Sequence, residues 1–437
     1  MFILVDDLGW TDLGVYGSDF YQSSNVDKLA SQGILFTNAY TASNVCSPTR
    51  ASIMTGKYPA TLDLTDYIPG RNFPEAKLAP PDWKKYLDTK ELTIAEVFKA
   101  NNYKTAHIGK WHLGEEEFYW PEHQGFDMNV GGYSRGAPIK NKAKGKNGYF
   151  SPYGNPRLED GADGEYLTHR LASEAVTFIN KNKDSPFFLN LWFYSVHMPL
   201  QARQDKINKY QSLLKEGQKH NNPTYAAMVE HMDDAVGTIL KTLKSLDLDK
   251  NTIIVFTSDN GGLVGNHKRF KEKITSNFPL RSGKGDRYEG GVRVPCILYF
   301  PEKLKPRVEE TPITSPDFFP TLIDLAGLIV EKEPEIDGVS LSDLLLENKK
   351  LEKRALYWHY PHYHLEGAVP YSAVQFDNYK LIHNLETDSL ELYNLKKDIS
   401  ETTDLSAVET GKTDSLFTRL RKWKEAVKAQ SPTMNHN

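Results

Sequence analysis

Five short clusters, widely separated in the chain, hold residue types that bind ions and move protons: Asp6-Asp7, Cys46-Ser47-Pro48-Thr49-Arg50, Lys110-Trp111-His112, His197 and Asp259-Asn260. Asp6, Asp7, Asp259 and Asn260 all offer oxygen, the donor set of hard divalent ions. Calcium takes about six to eight such ligands and magnesium about six. Zinc would ask for histidine or cysteine instead. In the cysteine cluster, Pro48 suits the first turn of a helix, where its missing N–H costs nothing. Free N–H groups at such a terminus bind anions and depress a thiol pKa. Arg50 adds a fixed cation about one turn further on. Two readings follow from these residues alone: a capped helix with an inert thiol, or a cysteine nucleophile. Neither explains a thiol beside an oxygen-seeking cation.

Taken singly, a pair of acids reads as a loop cap and a lone histidine as a structural residue. What sets these clusters apart is where they fall. The apolar run 2–5 ends in Asp6-Asp7, and 104–108 runs into Gly109-Lys110. Likewise 187–196 runs into His197, and 253–257 into Ser258-Asp259. Helical patterns lie between, at 26–32, from about Thr49, at 168–181 and after the Asn222-Pro223 cap. Thr93-Ile94-Ala95-Glu96 reads as a capping box. Strand alternating with helix predicts a parallel sheet covered on both faces. Ligands bind such sheets beyond the carboxyl ends of the strands, so the clusters are expected at one edge. The stretch 230–234 sits on a helix with an apolar stripe and is expected on its solvated face.

After about residue 350 the texture changes. Short aromatic-rich runs at 355–360, 371–376, 379–383 and 390–394 predict an antiparallel sheet. A last helix places Leu416, Leu420, Trp423 and Val427 on one face. The expected class is α/β: a large mixed, mostly parallel sheet sandwiched by helices, with a smaller C-terminal antiparallel sheet plus helix. The expected division is a catalytic unit at 1–350 and a C-terminal subdomain at 351–437. Segments 61–90 and 140–148 read as long surface loops.

Composition narrows the function. The chain has 437 residues, 39% hydrophobic and 25% charged, which excludes wholesale disorder. Its 53 basic residues nearly balance 57 acidic ones, for a net charge of −4. That excludes a protein that coats nucleic acid. Two cysteines make no disulfide framework. Cys296, in the apolar run 294–300, reads as a buried strand residue. No run reaches the ~18–20 apolar residues of a membrane span, so no membrane partner is expected. The chain opens inside a strand, which implies a missing N-terminal signal and a periplasmic or secreted protein.

Cys46-Ser47-Pro48-Thr49-Arg50 matches the C-x-P-x-R signature of the formylglycine-dependent (type I) sulfatases. Segments 2–10, 109–114, 257–262 and 283–295 resemble further blocks of that family, in order. So does Glu391-Leu392-Tyr393-Asn394-Leu395 with Glu401-Thr402-Thr403-Asp404-Leu405. The resemblance implies the alkaline phosphatase superfamily fold, and oxidation of Cys46 to formylglycine by a maturation enzyme. It implies calcium, in preference to magnesium, held by Asp6, Asp7, Asp259, Asn260 and the converted residue 46. Arg50 would hold the aldehyde hydrate. Lys110, His112, His197 and Lys284 would cradle the sulfate. His197 would protonate the leaving oxygen, and His112 would take the proton that regenerates the aldehyde. Around Lys284, the cations Lys273, Arg281 and Arg287 compete for the same role. The run His197-Met198-Pro199-Leu200 departs from relatives that carry a second histidine there.

The expected substrate is a sulfated carbohydrate. Rim candidates are Arg135, His362 and His364, with Tyr119-Trp120, Tyr133-Ser134 and Arg203 beside them. Trp358 and Tyr360 are expected to pack the C-terminal sheet. The alternatives are a formylglycine-dependent phosphonate or phosphate monoester hydrolase, and an inactive glycan-binding homologue.

Overall fold

A computed structural model describes residues 1–141, 146–267, 270, 272–331 and 334–435. Among the described residues the main sheet has nine strands. Across it run Arg307–Glu309, Ile34–Tyr40, Arg293–Tyr299, Ile254–Ser258, Phe2–Val5, Phe187–Trp192, Lys104–Gly109 and Met128–Val130, with Ile313–Thr314 also on Ile34–Tyr40. Arg293–Tyr299 is antiparallel to both neighbours and the other pairings are parallel. This is the expected mixed, mostly parallel sheet. Phe2–Val5 and Ile254–Ser258 are buried at every position, as strands covered on both faces must be. Cys296 is one such residue, and burial raises its thiol pKa. One helical group comprises Ser24–Gln32, Leu167–Lys181 and Pro223–Ser245, and another Cys46–Thr55, Ile94–Ala100 and Phe318–Ala326.

Register does much of the positioning. Val5 pairs with Ser258, so the next residues, Asp6 and Asp259, emerge side by side. Leu4 pairs with Trp192, and Trp192 with Gly109. Four adjacent strands therefore end nearly level, and the loops that follow them share one edge.

Several expectations need correction. The strand before His197 stops at Trp192 rather than residue 196. Residues 193–196 are instead drawn under the neighbouring loop, with Asp6 N–H donating to Ser195 O at 2.8 Å and Val196 N–H to Asp6 O at 2.7 Å. The helix expected from about Thr49 begins at Cys46. Segment 61–90 is not all surface: Leu62, Leu64, Thr65, Asp66 and Ile68 are buried. Lys140–Asn141 and Lys146–Asn147 pair as short strands, and the centre of that expected loop, 142–145, lies outside the described residues. In 230–234, His231 and Asp233 face inward. Asp233 accepts from Asn25 N–H and Val26 N–H, capping a neighbouring helix, which the stripe pattern alone does not reveal.

The C-terminal sheet orders Leu356–Tyr360, Tyr371–Phe376, Tyr379–Asn384 and Leu390–Asn394 as a meander. One face packs Leu416 and Leu420 of helix Thr410–Ala426. The other packs Trp358, Tyr360 and Ile382 against Tyr40, Val45 and Val292 of the main unit. Buried at this junction, Lys380 Nζ lies 3.0 Å from both Glu289 Oε1 and Glu401 Oε1.

Burial raises the Glu401 carboxyl above its ordinary value; Lys380 opposes this and Glu289 adds to it. The folded protein thus keeps a proton that the unfolded chain has already lost, and stability falls as pH rises between about 5 and 7. Glu401→Gln stays neutral and can still accept the Glu289 N–H. It is expected to flatten the fall in Tm over that window. Equal slopes for the two proteins would remove this account.

Candidate active site

Asp6, Asp7, Asp259 and Asn260 are all buried and in mutual contact. Asp7 N–H donates to Asp259 Oδ1 at 3.2 Å, and Asn260 Nδ2 to Asp7 Oδ1 at 2.8 Å. Lys110 Nζ is 2.7 Å from Asp6 Oδ2, and Lys284 Nζ is 2.6 Å from Asp7 Oδ1. Arg50 places Nη2 at 2.7 Å and Nε at 2.8 Å from Asp259 Oδ2, while its Nη1 donates to Lys110 O at 2.8 Å. Six charges, three of each sign, are thus buried together. Burying an ion without a partner is costly, so the pairing is what makes the cluster tenable.

Three oxygens remain unpartnered: Asp6 Oδ1, Asp7 Oδ2 and Asn260 Oδ1. Ligand atoms of Asp6, Asp7 and His197 lie within 4.8 Å of one another. Buried acceptors without donors are expensive, and an oxygen set of this kind fits a hard cation. Both Asp259 oxygens already accept hydrogen bonds, so Asp259 would offer a remaining lone pair. Burial, then Asp259, raises the Asp6 carboxyl well above its ordinary value, with Lys110 opposing. Burial pushes Asp7 the same way, but Lys284 and His197 more than offset it and hold it low.

Cys46 is the first residue of helix Cys46–Thr55 and is buried. Its Sγ is 3.3 Å from His112 Nδ1. His112 Nε2 lies 2.5 Å from Ile68 O. A carbonyl only accepts, so Nε2 carries the proton and Nδ1 presents a bare lone pair toward residue 46. Burial, then Lys110, depresses the His112 pKa well below the usual value and keeps the ring neutral. Asp7 and His112 both take left-handed backbone, at φ 62° and 61°. Such conformations cost about 1–3 kcal/mol and collect at functional sites.

The family model described as Sulfatase matches residues 1–328. The chain belongs to the sulfatase family. It is a sulfuric ester hydrolase. A second model, N-sulphoglucosamine sulphohydrolase, C-terminal, matches residues 284–430. A protein named Sulfatase from Formosa agariphila is 33% identical to this sulfatase, over 99% of this chain and 89% of its own. N-acetylgalactosamine-6-sulfatase from Homo sapiens is 30% identical, over 82% of this chain and 67% of its own. The crystal structure of Ps i-CgsB in complex with k-i-k-neocarrahexaose aligns with a TM-score of 0.81 at 29% identity, covering 100% of this chain and 94% of that one.

Other candidates in the sulfatase divide between the site and elsewhere. His197 Nδ1 is 2.8 Å from Met198 O, which fixes the proton on Nδ1, and Nε2 is 3.8 Å from Asp7 Oδ2. Burial, then Lys284, lowers the His197 pKa to about 3. Of the basic competitors near Lys284, Arg281 donates to Glu401 O, Arg287 contacts Glu391, and Lys273 bonds Asn266. Arg135 is exposed. His364 is half-buried, in a loop joined to Gly285 through the Ala368 N–H donated to Gly285 O at 3.0 Å. His362 is buried, 2.8 Å from Thr65 Oγ1 and edge-on to Trp83. Trp358 and Tyr360 pack the sheet as expected. Trp120 is buried, Tyr119 stacks on Tyr86, and Arg203 pairs with Asp205 on the surface.

The second side of the candidate site carries no signal in the sequence. Ser47 Oγ donates to His112 O at 2.9 Å and receives the Ile68 N–H at 3.2 Å. The Ile68 carbonyl fixes the His112 tautomer. A backbone carbonyl leaves no mark in sequence, and Ser47 occupies the unspecified position of its motif.

Proposed function

We propose that this sulfatase releases sulfate from a sulfated sugar of a glycan, with formylglycine at residue 46 as nucleophile and calcium as cofactor. The observation that carries the reading is the meeting of residue 46 and the His112 lone pair with a buried cluster whose unpartnered oxygens fit a hard cation. Asp6, Asp7, Asp259, Asn260 and the converted residue 46 would hold that ion. The carbohydrate follows from relatives named for N-acetylgalactosamine 6-sulfate and crystallised with a neocarrahexaose. Glycan polymers are met outside the cytoplasm, and the proposed location is periplasmic or secreted.

Conversion of Cys46 by a maturation enzyme would supply an aldehyde hydrate in place of a thiol. When bound, calcium would supply positive charge against the sulfate and against the reacting hydroxyl. Lys110 and Lys284, with His197, would meet the sulfate oxygens, since fixed cations favour charge that shifts during transfer. Arg50, clamped between Asp259 and the Lys110 carbonyl, cannot swing away and would orient residue 46. His112, neutral and bare at Nδ1, can accept a proton from a hydroxyl at residue 46. His197 would protonate the departing sugar oxygen.

The experiment is a panel of sulfated mono- and oligosaccharides, scored for free sulfate with protein co-expressed with a formylglycine-generating enzyme. Turnover of phosphonate monoesters with no sulfate from any sugar would overturn the reading. The metal has its own readout. Calcium added after chelation is expected to raise Tm, because a ligand that binds only the folded state stabilises it. Magnesium is expected to do so less. Asp7→Ala should lose the response, and an unchanged response in that variant would refute the ligand set.

A further inference from the structure

The charge balance in and around the site points to a more specific substrate. Lys110, Lys284 and Arg50 each face a carboxylate of their own, Asp6, Asp7 and Asp259. Arg135 does not. Its residue is exposed, and among the described residues no ion pair is formed by it. Yet it is rooted at the reacting centre. His112 N–H donates to Tyr133 O at 3.1 Å. The backbone of Gly136 lies so close to the His112 ring that a Cβ there would fall 2.3 Å from Cε1. Any side chain at 136 would displace the imidazole that faces Cys46. Arg135 is the next residue back, with its Cα about 3.8 Å from that of Gly136. A guanidinium based there can reach groups on a substrate held beside Cys46 and the His112 ring.

We propose that Arg135 reads a second anionic group, a sulfate or carboxylate, on the glycan whose first sulfate is being cleaved. This rests on the glycan sulfatase reading and narrows its substrate class to polyanionic glycans. Arginine suits the task, because its planar fork matches both anions in bidentate fashion. The neutral alternative, a solvated loop arginine, predicts no selectivity.

The test uses a matched pair of oligosaccharides: one with a single sulfate, the other with the same sulfate plus a second sulfate or uronate on the same or adjoining ring. The unaltered enzyme is expected to favour the doubly anionic member in kcat/KM by about tenfold, the worth of one charge-assisted hydrogen bond. That preference should shrink as salt is raised. Arg135→Ala should lower kcat/KM on the doubly anionic glycan about tenfold more than on the singly anionic one, and Arg135→Lys should recover part of the difference. Arg135 is exposed, so loss of folding is not the expected outcome, and Tm checks it. Equal kcat/KM on both members, or a preference that survives Arg135→Ala, overturns this inference and leaves the sulfatase reading intact. Absence of sulfate release from every sugar of the panel overturns the glycan reading and this inference with it.

Discussion

Cys46→Ser, produced alongside a maturation enzyme, is expected to lose steady-state sulfate release by at least about 10⁴-fold, the scale seen when a nucleophile is removed. The reason lies in what happens after transfer. A hydrated aldehyde has a second hydroxyl, and proton loss from it re-forms the carbonyl as sulfate departs. His112 would take that proton, with Nδ1 bare and 3.3 Å from the position-46 side-chain atom. Serine occupies the same helix N-terminus but has one oxygen. Once sulfated it has no second proton to give, so the sulfate stays. Mass spectrometry of the peptide containing residue 46 should therefore find a sulfo group on the serine variant after incubation with substrate. In the unaltered protein it should find formylglycine or its hydrate. Cys46→Ala should show neither turnover nor adduct. Multiple turnovers by the serine variant would end the mechanism while leaving the family membership untouched.

The geometry of the candidate site depends on the sheet more than on any one motif. Asp6 and Asp259 are far apart in sequence, yet the Val5–Ser258 pairing makes them neighbours. Their adjacency was legible because each follows a strand of buried residues, and parallel strands ending level deliver their loops to one edge. The C-x-P-x-R cluster was legible for a different reason: helix-start chemistry and an arginine one turn on occur together. What stayed hidden had no side-chain signature. Ile68 acts through its carbonyl, and Gly136 through the absence of a Cβ. Segment 61–90, polar and proline-bearing, reads as surface, yet its early part is buried against the site because Ser47 and His112 supply its backbone partners. His231 and Asp233 read as solvated because the stripe rule treats charge as outward. Asp233 is buried because it satisfies two N–H groups of the helix beside it.

His197→Ala separates acid catalysis from sulfate binding. In the resting site His197 is neutral: burial and Lys284 lower its pKa to about 3, and only Asp7 among its near charges works strongly the other way. Its Nε2 is bare, since Nδ1 carries the proton toward Met198 O. A histidine in this state can act as an acid only if substrate brings the proton's partner with it. A sulfate ester is anionic, and an anion beside the ring favours the imidazolium. The acid role is therefore expected to appear in the complex and to matter in proportion to how much the departing oxygen needs a proton. For a sugar alcohol that need is large, and general acids contribute about 10²–10⁴-fold. For a nitrophenolate it is small. His197→Ala is expected to lower kcat about 100-fold or more on a sugar sulfate and less than about tenfold on nitrophenyl sulfate. A purely sulfate-binding histidine would lose equally on both, since the sulfate is the same in each. Equal losses would reassign His197 to binding and leave proton delivery to solvent or another group.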